Sequence, residues 1–352
     1  MMFIKLLKEV GRGKRGARDL TYEEALEAAQ WILNRKAAPA QIGAFFIAER
    51  IKMESVAELQ AFVDVCRSLA YRAPIQQGID CSGPYDGRKK SFYASFATAF
   101  VLAAAGLPVT LHGSATLPPK RGVTLHDIIE AMGADLQHVT QQRSIELARE
   151  TGVLYVPAES WCPPLAALRD IREDLDMRTI LNTVEKLIDY SCSPYLVFGV
   201  FHNTVFNRMS ELMQHLGYKR ALIVQGMEGS EDMFIDRPTR TYVVDGEHSE
   251  LRVVDPELYG LETPVPEDIE WTAHEQLRVT EEVLQGGGHI AFANQVLLNS
   301  AARLTLAGVV DSIEQGLYIC KPLIESGEVW QLYTKWKQTL LHEELKLEHK
   351  RH

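Results

Sequence analysis

The chain has 352 residues, of which 46% are hydrophobic and 24% are charged, and this composition excludes a disordered or collagen-like protein. Its length predicts a globular protein of about two domains, and no apolar run reaches the roughly 20 residues of a membrane span. The formal net charge of -10 argues, taken alone, against a polyanionic partner.

The amino terminus predicts a cytoplasmic protein with a basic start. It lacks the continuous apolar stretch and the small-residue cleavage site of a signal peptide, so we expect a cytoplasmic location and no membrane partner. Six basic residues but only one acid lie between Lys5 and Arg18, and a second basic cluster follows at residues 88–90. The basic charge is therefore concentrated early in a chain that is acidic as a whole.

The first part of the chain carries helix start signals. Thr21 followed by Glu24 has the pattern of a capping box, which predicts that a helix begins after Thr21. Pro39 suits the first turn of a second helix, and residues 58–69 keep the helical period. We predict a small helical lobe over residues 1–74.

After Pro74 the pattern changes to alternating strands and helices. Strands are predicted at residues 107–111, 152–156 and 221–225, and helices at residues 92–105 and 205–216. This order is typical of a parallel sheet, whose ligands bind at the carboxyl ends of the strands. Residues 240–244 and 250–254, joined by a loop that opens with Asp245 and Gly246, predict a hairpin.

The last third of the chain returns to helical periodicity, at residues 272–284, 290–307 and 330–352. We therefore predict an α/β fold with a small all-helical lobe and a larger lobe built on a central, mostly parallel sheet, with a cleft between the lobes. The larger lobe spans residues 75–320, and part of the 165–200 segment joins the helical lobe. Residues 321–352 form a C-terminal helical extension.

Three phrases carry a resemblance to a known family. DLTYEEA and AQIGAFFIAERIKMES near the amino end, and VLLNSAA near the carboxyl end, resemble the anthranilate phosphoribosyltransferase family, which shares its fold with the pyrimidine nucleoside phosphorylases. The resemblance extends to about Cys320. It implies a homodimer formed through the helical lobe, phosphoribosyl pyrophosphate as a ligand and Mg²⁺ as the only cofactor.

The first loop of the family reads Asp-x-x-Gly-Thr-Gly-Gly-Asp, and its freed backbone amides cradle pyrophosphate. Here Asp80 and Gly83 match the pattern, whereas Pro84, Tyr85 and Asp86 replace the Thr and the paired glycines. One interpretation is a turn with a basic surface and no ligand-binding role. The functional one is an anion-binding loop at a helix start, with the candidate ligand contacts Gly83, Gly87, Arg88, Lys89, Lys90, Ser91 and Ser95.

The second loop of the family reads Lys-His-Gly-Asn-Arg-Ser, and this chain keeps only His112 and Gly113 of it. Each lost cation removes a charge-assisted phosphate contact of about 1.5–3 kcal/mol. Lys120 matches a further family lysine, and Arg172 matches an arginine of the family's anthranilate site, so both are candidate ligand contacts. The family's Gly-Pro-Leu-x-Asn-Pro phrase has become residues 185–190, EKLIDY.

The third loop of the family carries an acidic pair that binds magnesium. Glu231 and Asp232 keep two adjacent carboxylates in swapped order, and with Ser95 they are the predicted metal ligands, because Mg²⁺ prefers oxygen donors. The same acids also suit an ordinary solvated loop. The five cysteines form no C-x-x-C pair and predict neither a disulfide framework nor a structural zinc site.

The altered loops lead to two functional hypotheses. A divergent branch of the family with the same GRGK and ARDL phrases is known for dimers that bind nucleic acid, and the chain resembles that branch. The resemblance implies sequence-independent binding of DNA or RNA driven by counter-ion release, with no catalytic residue assigned. The predicted nucleic-acid contacts are Lys8, Arg12, Lys14, Arg15, Arg18, Arg88, Lys89 and Lys90.

The alternative hypothesis is an enzyme. In it the chain is a Mg²⁺-dependent phosphoribosyltransferase, a type of glycosyltransferase, that uses anthranilate or another aromatic amine or base as acceptor. Catalysis would then be electrostatic and would need no covalent nucleophile. A basic run is also, most often, only a solvated surface.

Overall fold

The helices that follow Thr21 and open at Pro39 begin where the start signals predict. A computed structural model describes residues 2–13, 15–75 and 77–351, with side chains described up to residue 341. The helices are α1 (Met2–Val10), α2 (Tyr22–Leu33), α3 (Pro39–Lys52) and α4 (Val56–Leu69). The hydroxyl of Thr21 accepts a hydrogen bond from the Glu24 amide, and the Glu24 carboxylate accepts one from the Thr21 amide. The predicted capping box is thereby confirmed.

A seven-stranded sheet forms the centre of the larger lobe. Its strands are β1 (Ile79–Ser82), β2 (Val109–Gly113), β3 (Val153–Pro157), β4 (Tyr195–Gly199), β5 (Arg220–Val224), β6 (Thr239–Asp245) and β7 (His248–Val254). They lie in the order β3-β2-β1-β4-β5-β6-β7. The first five strands are parallel, and β6 and β7 form the predicted hairpin at one edge. The mostly parallel sheet and the hairpin are therefore confirmed.

The remaining helices cover both faces of the sheet. They are α5 (Ala94–Ala104), α6 (Leu125–Ala131), α7 (Gln141–Thr151), α8 (Ala158–Trp161), α9 (Pro163–Ala167), α10 (Arg169–Leu175), α11 (Leu181–Val184), α12 (Phe206–His215), α13 (Ala273–Leu284), α14 (Ile290–Ala307), α15 (Ile313–Glu325) and α16 (Glu328–Arg351). Helices α6 to α11 were not predicted, because most are too short to show a clear period. Short 3-10 turns lie at Glu185–Leu187, Asn203–Val205, Met227–Gly229 and Pro256–Tyr259. Among the described residues, no helix is both long enough and apolar enough to cross a membrane.

One face of the sheet shares its core with the helical lobe. Buried side chains of α1 to α4 pack in the same cluster as Leu154 and Val156 of β3 and Leu196 and Phe198 of β4. Helices α9 to α11 belong to this cluster and contact α2, α3 and α4. The lobes are therefore joined by one continuous apolar core, and the predicted domain boundaries stay a prediction.

The homodimer also stays a prediction. The exposed apolar side chains of the helical lobe include Met2 and Ile4 on α1 and Ile51 and Met53 at the end of α3. Exposed apolar groups in one lobe suit an interface between copies.

The C-terminal extension packs against the opposite face of the sheet. Trp336 of α16 is fully buried, and its indole N–H donates to the carbonyl oxygen of Val153 at 3.2 Å. The indole ring packs edge-on against Phe96 and Phe100 of α5, with ring centroids 6.1 and 5.4 Å apart. The described part of α16 is thus packed into the core of the larger lobe.

Replacement of Trp336 by alanine should lower the free energy of unfolding by about 3–5 kcal/mol, because it leaves a large cavity beside α5. Gln331→Ala is the matched control, since Gln331 is exposed on the same helix and such a change costs at most about 0.5 kcal/mol. Urea unfolding followed by circular dichroism measures both. A Trp336→Ala variant as stable as the control would contradict the packing of α16.

Candidate functional site

A cleft lies where the direction of the sheet's connections reverses. Strands β2 and β3 lie on one side of β1, and β4 and β5 lie on the other, so the connections diverge and leave a crevice at the carboxyl ends of β1 and β4. The cleft has a volume of about 430 Å³. It is lined by the end of α3, by residues 84–86 after β1 and by residues 198–202 around the end of β4. This is the predicted position, between the two lobes.

Three arginines line the cleft. Arg50 donates to the carbonyl oxygen of Arg178 at 3.1 Å, and Arg208 donates to the carbonyl oxygen of Glu54 at 2.8 Å. Arg178 pairs with the Asp86 carboxylate at 3.0 Å. Because two of the three guanidinium groups donate to main-chain oxygens in these contacts, their positive charge remains available to an anion in the cleft.

Lys186 adds a fourth and more buried cation to the cleft wall. Its side chain is almost completely buried, its ammonium group donates to the Gly199 carbonyl oxygen at 2.7 Å, and it lies 3.8 Å from the centre of the Phe198 ring. Burial lowers the pKa of Lys186 to about 8. An ammonium group has three N–H donors, so with one acceptor among the described residues Lys186 retains donors for a ligand.

The predicted metal ligands Ser95, Glu231 and Asp232 come together, but around an arginine. Arg88 is fully buried and donates to Asp232 at 2.6 Å and to Glu231 at 3.0 Å, and it lies 3.4 Å from the Ser95 hydroxyl. A second buried arginine, Arg303, donates to the other Asp232 oxygen at 2.9 Å. Burial works against the charge of Arg88, but the two carboxylates outweigh it and raise the pKa of Arg88 above its usual value.

Two glycines bring Arg88 to the acidic pair. Gly87 has a φ of 76°, and a Cβ atom there would lie 2.3 Å from the carbonyl oxygen of Gly122. A Cβ atom on Gly83 would lie 2.9 Å from the hydroxyl of Tyr93. Side chains at these two positions would therefore force apart the segments that surround Arg88. Both glycines were predicted as direct ligand contacts, and that role stays a prediction.

The Glu228 carboxylate fills the predicted anion-binding loop. It accepts hydrogen bonds from the backbone amides of Lys89 and Lys90, both at 2.9 Å, and from the Ser91 hydroxyl at 3.1 Å. Lys120 donates to the carbonyl oxygen of Glu228 at 2.9 Å. Three of the donors predicted for a phosphate group are therefore satisfied by the chain itself, whereas the side chains of Lys89 and Lys90 are exposed.

His112 and Gly113 lie at the carboxyl end of β2. The imidazole is buried, with Nδ1 at 2.7 Å from the Tyr85 hydroxyl and Nε2 at 3.0 Å from Asp80 and 3.2 Å from the Ser82 hydroxyl. Both ring nitrogens are engaged by neighbouring side chains, so the structure gives His112 a role in holding the loop after β1. Ligand contact by His112 and Gly113 stays a prediction.

Arg172 forms a buried pair with Glu185. Two parallel contacts of 2.6 and 3.1 Å join the guanidinium to the carboxylate, and both residues are buried. Burial raises the pKa of Glu185, and Arg172 opposes that rise. The two N–H groups of Arg172 that could bind the carboxylate of a ligand therefore already donate to Glu185.

The predicted nucleic-acid contacts of the helical lobe are partly neutralised. Glu9 pairs with both Arg12 and Arg18, and Glu24 pairs with Arg18 at 2.7 Å. Lys8 and Arg15 are exposed. Lys14 lies outside the described residues.

Arg88 was also predicted to contact nucleic acid. It is instead buried against Glu231 and Asp232, so the prediction of a surface contact is corrected. The exposed positions in the predicted set are Lys8, Arg12, Arg15, Arg18, Lys89 and Lys90.

Sequence reasoning missed Arg50, Arg208, Glu185 and Lys186 as parts of the site. For Glu185 and Lys186 a signal existed, because they stand where the family has Gly and Pro. For Arg50 and Arg208 no local signal existed, since only the packing of α3 and α12 brings them to the same cleft.

Comparison with known proteins identifies the family. Residues 4–70 match the helical bundle domain of the glycosyl transferase family, and residues 80–330 match its a/b domain. An anthranilate phosphoribosyltransferase from Acetivibrio thermocellus is 32% identical over 337 residues, which cover 94% of each chain. One from Neisseria meningitidis serogroup C is 31% identical over 315 residues, 88% of each chain. The chain belongs to the anthranilate phosphoribosyltransferase family.

Solved structures of the family share the fold. The anthranilate phosphoribosyltransferase of Thermus thermophilus has a TM-score of 0.83 at 25% identity, covering 95% of this chain and 99% of that one. The Saccharomyces cerevisiae enzyme, in complex with PRPP and Mg, has a TM-score of 0.79 at 17% identity and covers 96% of this chain and 97% of that one. At that identity the yeast structure shows the fold alone.

A magnesium ion does not fit the acidic pair of this family member. Mg²⁺ needs octahedral oxygen ligands at about 2.0–2.1 Å and keeps several water molecules. Here the Arg88 guanidinium stands between Glu231 and Asp232, whose side chains are only 1% and 2% exposed. The prediction of a metal at Ser95, Glu231 and Asp232 is therefore corrected: the three residues converge, but on a cation of the chain itself.

Replacement of Glu185 by alanine should lower the free energy of unfolding by about 3–5 kcal/mol, because it leaves Arg172 charged and unpaired in the core. Glu173→Ala is the matched control. Its partners Arg121 and Arg169 are partly exposed, so its loss should cost at most about 1 kcal/mol. Urea unfolding measures the free energy of unfolding of both variants. An equal decrease in the two would show that the buried pair matters no more to stability than the exposed one.

Proposed function

We propose that the chain binds a phosphoribosyl ligand in the cleft and transfers the phosphoribosyl group to an acceptor other than anthranilate. Relatives that match most of the chain include proteins named anthranilate phosphoribosyltransferase, and the cleft lies where such a sheet binds ligands. The observation that carries the proposal is Lys186, a buried cation with unused donors in the cleft wall.

The cations of the cleft make up for those missing from the second loop. Lys186, Arg178 and Arg208 line one cavity, and each charge-assisted contact with a phosphate group contributes about 1.5–3 kcal/mol. Fixed cations also stabilise negative charge that develops as the bond to the ribosyl carbon breaks. Electrostatic positioning of this kind needs no nucleophile from the chain.

The acceptor follows from the Arg172–Glu185 pair. The resemblance places Arg172 in the family's anthranilate site, but Glu185 already occupies two parallel donors of this arginine at 2.6 and 3.1 Å. An acceptor that depends on this arginine would have to displace a buried carboxylate, at a cost of several kcal/mol. An aromatic amine or base without a carboxylate needs no such displacement.

Isothermal titration with phosphoribosyl pyrophosphate at pH 7.5 tests the proposal, and saturable heat is expected. Affinity should fall by up to about tenfold between pH 7.5 and pH 9, because Lys186 loses its proton above its pKa of about 8. Lys186→Arg should remove that pH dependence, since arginine stays protonated. Lys186→Met should weaken binding about tenfold to a hundredfold.

Lys321→Met is the control, because Lys321 is exposed on α15 and is not among the residues that line the cleft. The affinity of this variant for phosphoribosyl pyrophosphate should match that of the wild type. Anthranilate added to the phosphoribosyl complex should give no further heat. The proposal would be contradicted by the absence of heat with phosphoribosyl pyrophosphate, or by an affinity of Lys186→Met equal to that of the wild type.

Nucleic-acid binding is a second candidate, favoured by the exposed Lys8 and Arg15 on the helical lobe. Fluorescence anisotropy with labelled single-stranded and duplex oligonucleotides tests it. If the candidate holds, affinity falls steeply with salt and drops at least about tenfold when Lys8 and Arg15 are both replaced by glutamate. Binding that ignores salt or survives the double change would contradict it.

A further inference from the structure

We propose that Arg88 is a built-in cation that stands in place of a divalent metal at Glu231 and Asp232, so that this chain binds its ligand without a metal ion. The claim that the ligand binds without a metal ion, the ligand part, rests on the proposed function. The metal part does not, because it concerns only the acidic pair and can be measured with no ligand present.

The charges of the cluster already balance. Arg88 and Arg303 carry two positive charges, and Glu231 and Asp232 carry two negative ones, within contacts of 2.6 to 3.0 Å. Three of the four carboxylate oxygens accept hydrogen bonds from the two arginines. Buried carboxylates need such compensation, and a divalent cation entering a neutral cluster would have to expel one of its positive charges.

Arg88 is held in place by more than the acidic pair. Its guanidinium also donates to the carbonyl oxygen of Phe92 at 2.8 Å and lies 3.7 Å over the ring of Tyr93. Its backbone exchanges two hydrogen bonds, of 2.8 and 2.9 Å, with Val123. Because main chain and side chain are both fixed, Arg88 cannot swing aside to admit an ion without breaking these contacts.

The side chain of Arg88 also occupies the point on which three potential metal donors converge. The Ser95 hydroxyl and the two carboxylates point at one guanidinium, and hydroxyl and carboxylate oxygens are the ligands that Mg²⁺ and Mn²⁺ prefer. Removal of the guanidinium leaves a space with three converging oxygen donors. Arg88→Ala should therefore create a metal site that the natural chain lacks.

The test measures binding of Mn²⁺ alone to the full-length chain by electron paramagnetic resonance. Arg88→Ala should bind one Mn²⁺ ion at this site, and the affinity of the wild type there should be at least about ten times weaker. The double variant Arg88→Ala/Asp232→Asn should lose that gain. Arg303→Ala is the matched control, because it removes a buried arginine from Asp232 but leaves Arg88 between the carboxylates.

Two results would overturn the proposal. One is a folded Arg88→Ala variant, judged by its circular dichroism spectrum, that binds Mn²⁺ no better than Arg303→Ala. The other is Mn²⁺ binding by the wild type that disappears in Asp232→Asn, a result that decides the matter even where Arg88→Ala does not fold.

The ligand part is measured separately. Affinity for phosphoribosyl pyrophosphate should be the same, within about twofold, in EDTA and in excess Mg²⁺. A tenfold gain with Mg²⁺ that Asp232→Asn abolishes would refute metal independence. No binding in either buffer would refute the proposed function and leave the Mn²⁺ result standing.

Discussion

The contact between Arg88 and the pair Glu231–Asp232 is the constraint on which the rest of the site depends. It joins the loop after β1 to the loop after β5, and Arg303 extends it to α14. Buried ion pairs add little net stability, because desolvation offsets their attraction, but removal of one partner is costly. We infer that the cluster fixes the position of the two loops, and through them the width of the cleft at the switch point of the sheet.

The same chemistry recurs at three places around the cleft. Glu228 occupies the amides of the first loop, Glu185 occupies Arg172, and Arg88 occupies the acidic pair. In each case a charged group of the site is neutralised or hydrogen-bonded by a side chain of the protein itself. The interactions left to a ligand are those of the cleft wall, where Lys186 and Arg208 donate only to main-chain oxygens among the described residues.

Local signals in the sequence predicted the fold well. The capping box at Thr21, the proline that opens α3 and the turn of the β6–β7 hairpin each depend on residues close together in the chain, so they could be read without a structure. The convergence of Ser95 with Glu231 and Asp232 was also predicted, through the family's loop pattern.

The partners of the charged groups could not be predicted. Arg88 and Asp232 are separated by 144 positions, and whether Arg88 points inward depends on the close approach of Gly87 to Gly122. No periodicity encodes such a contact, so Arg88 was expected on the surface. Glu185 and Lys186 indicated a departure from the family pattern, but the sequence did not show which groups they would contact. The position of Arg172 relative to them is set by the packing of α10 and α11.

The continuous core that the helical lobe shares with β3 and β4 restricts how the cleft can move. Interdigitated side chains have a few discrete arrangements and do not deform smoothly. Widening of the cleft would therefore slide packed helices over the sheet, a shear movement of small amplitude, because one core joins the described parts of the two lobes. Ligands would be selected by the shape of a cleft that is already formed, and little of the binding free energy would be spent on closing it.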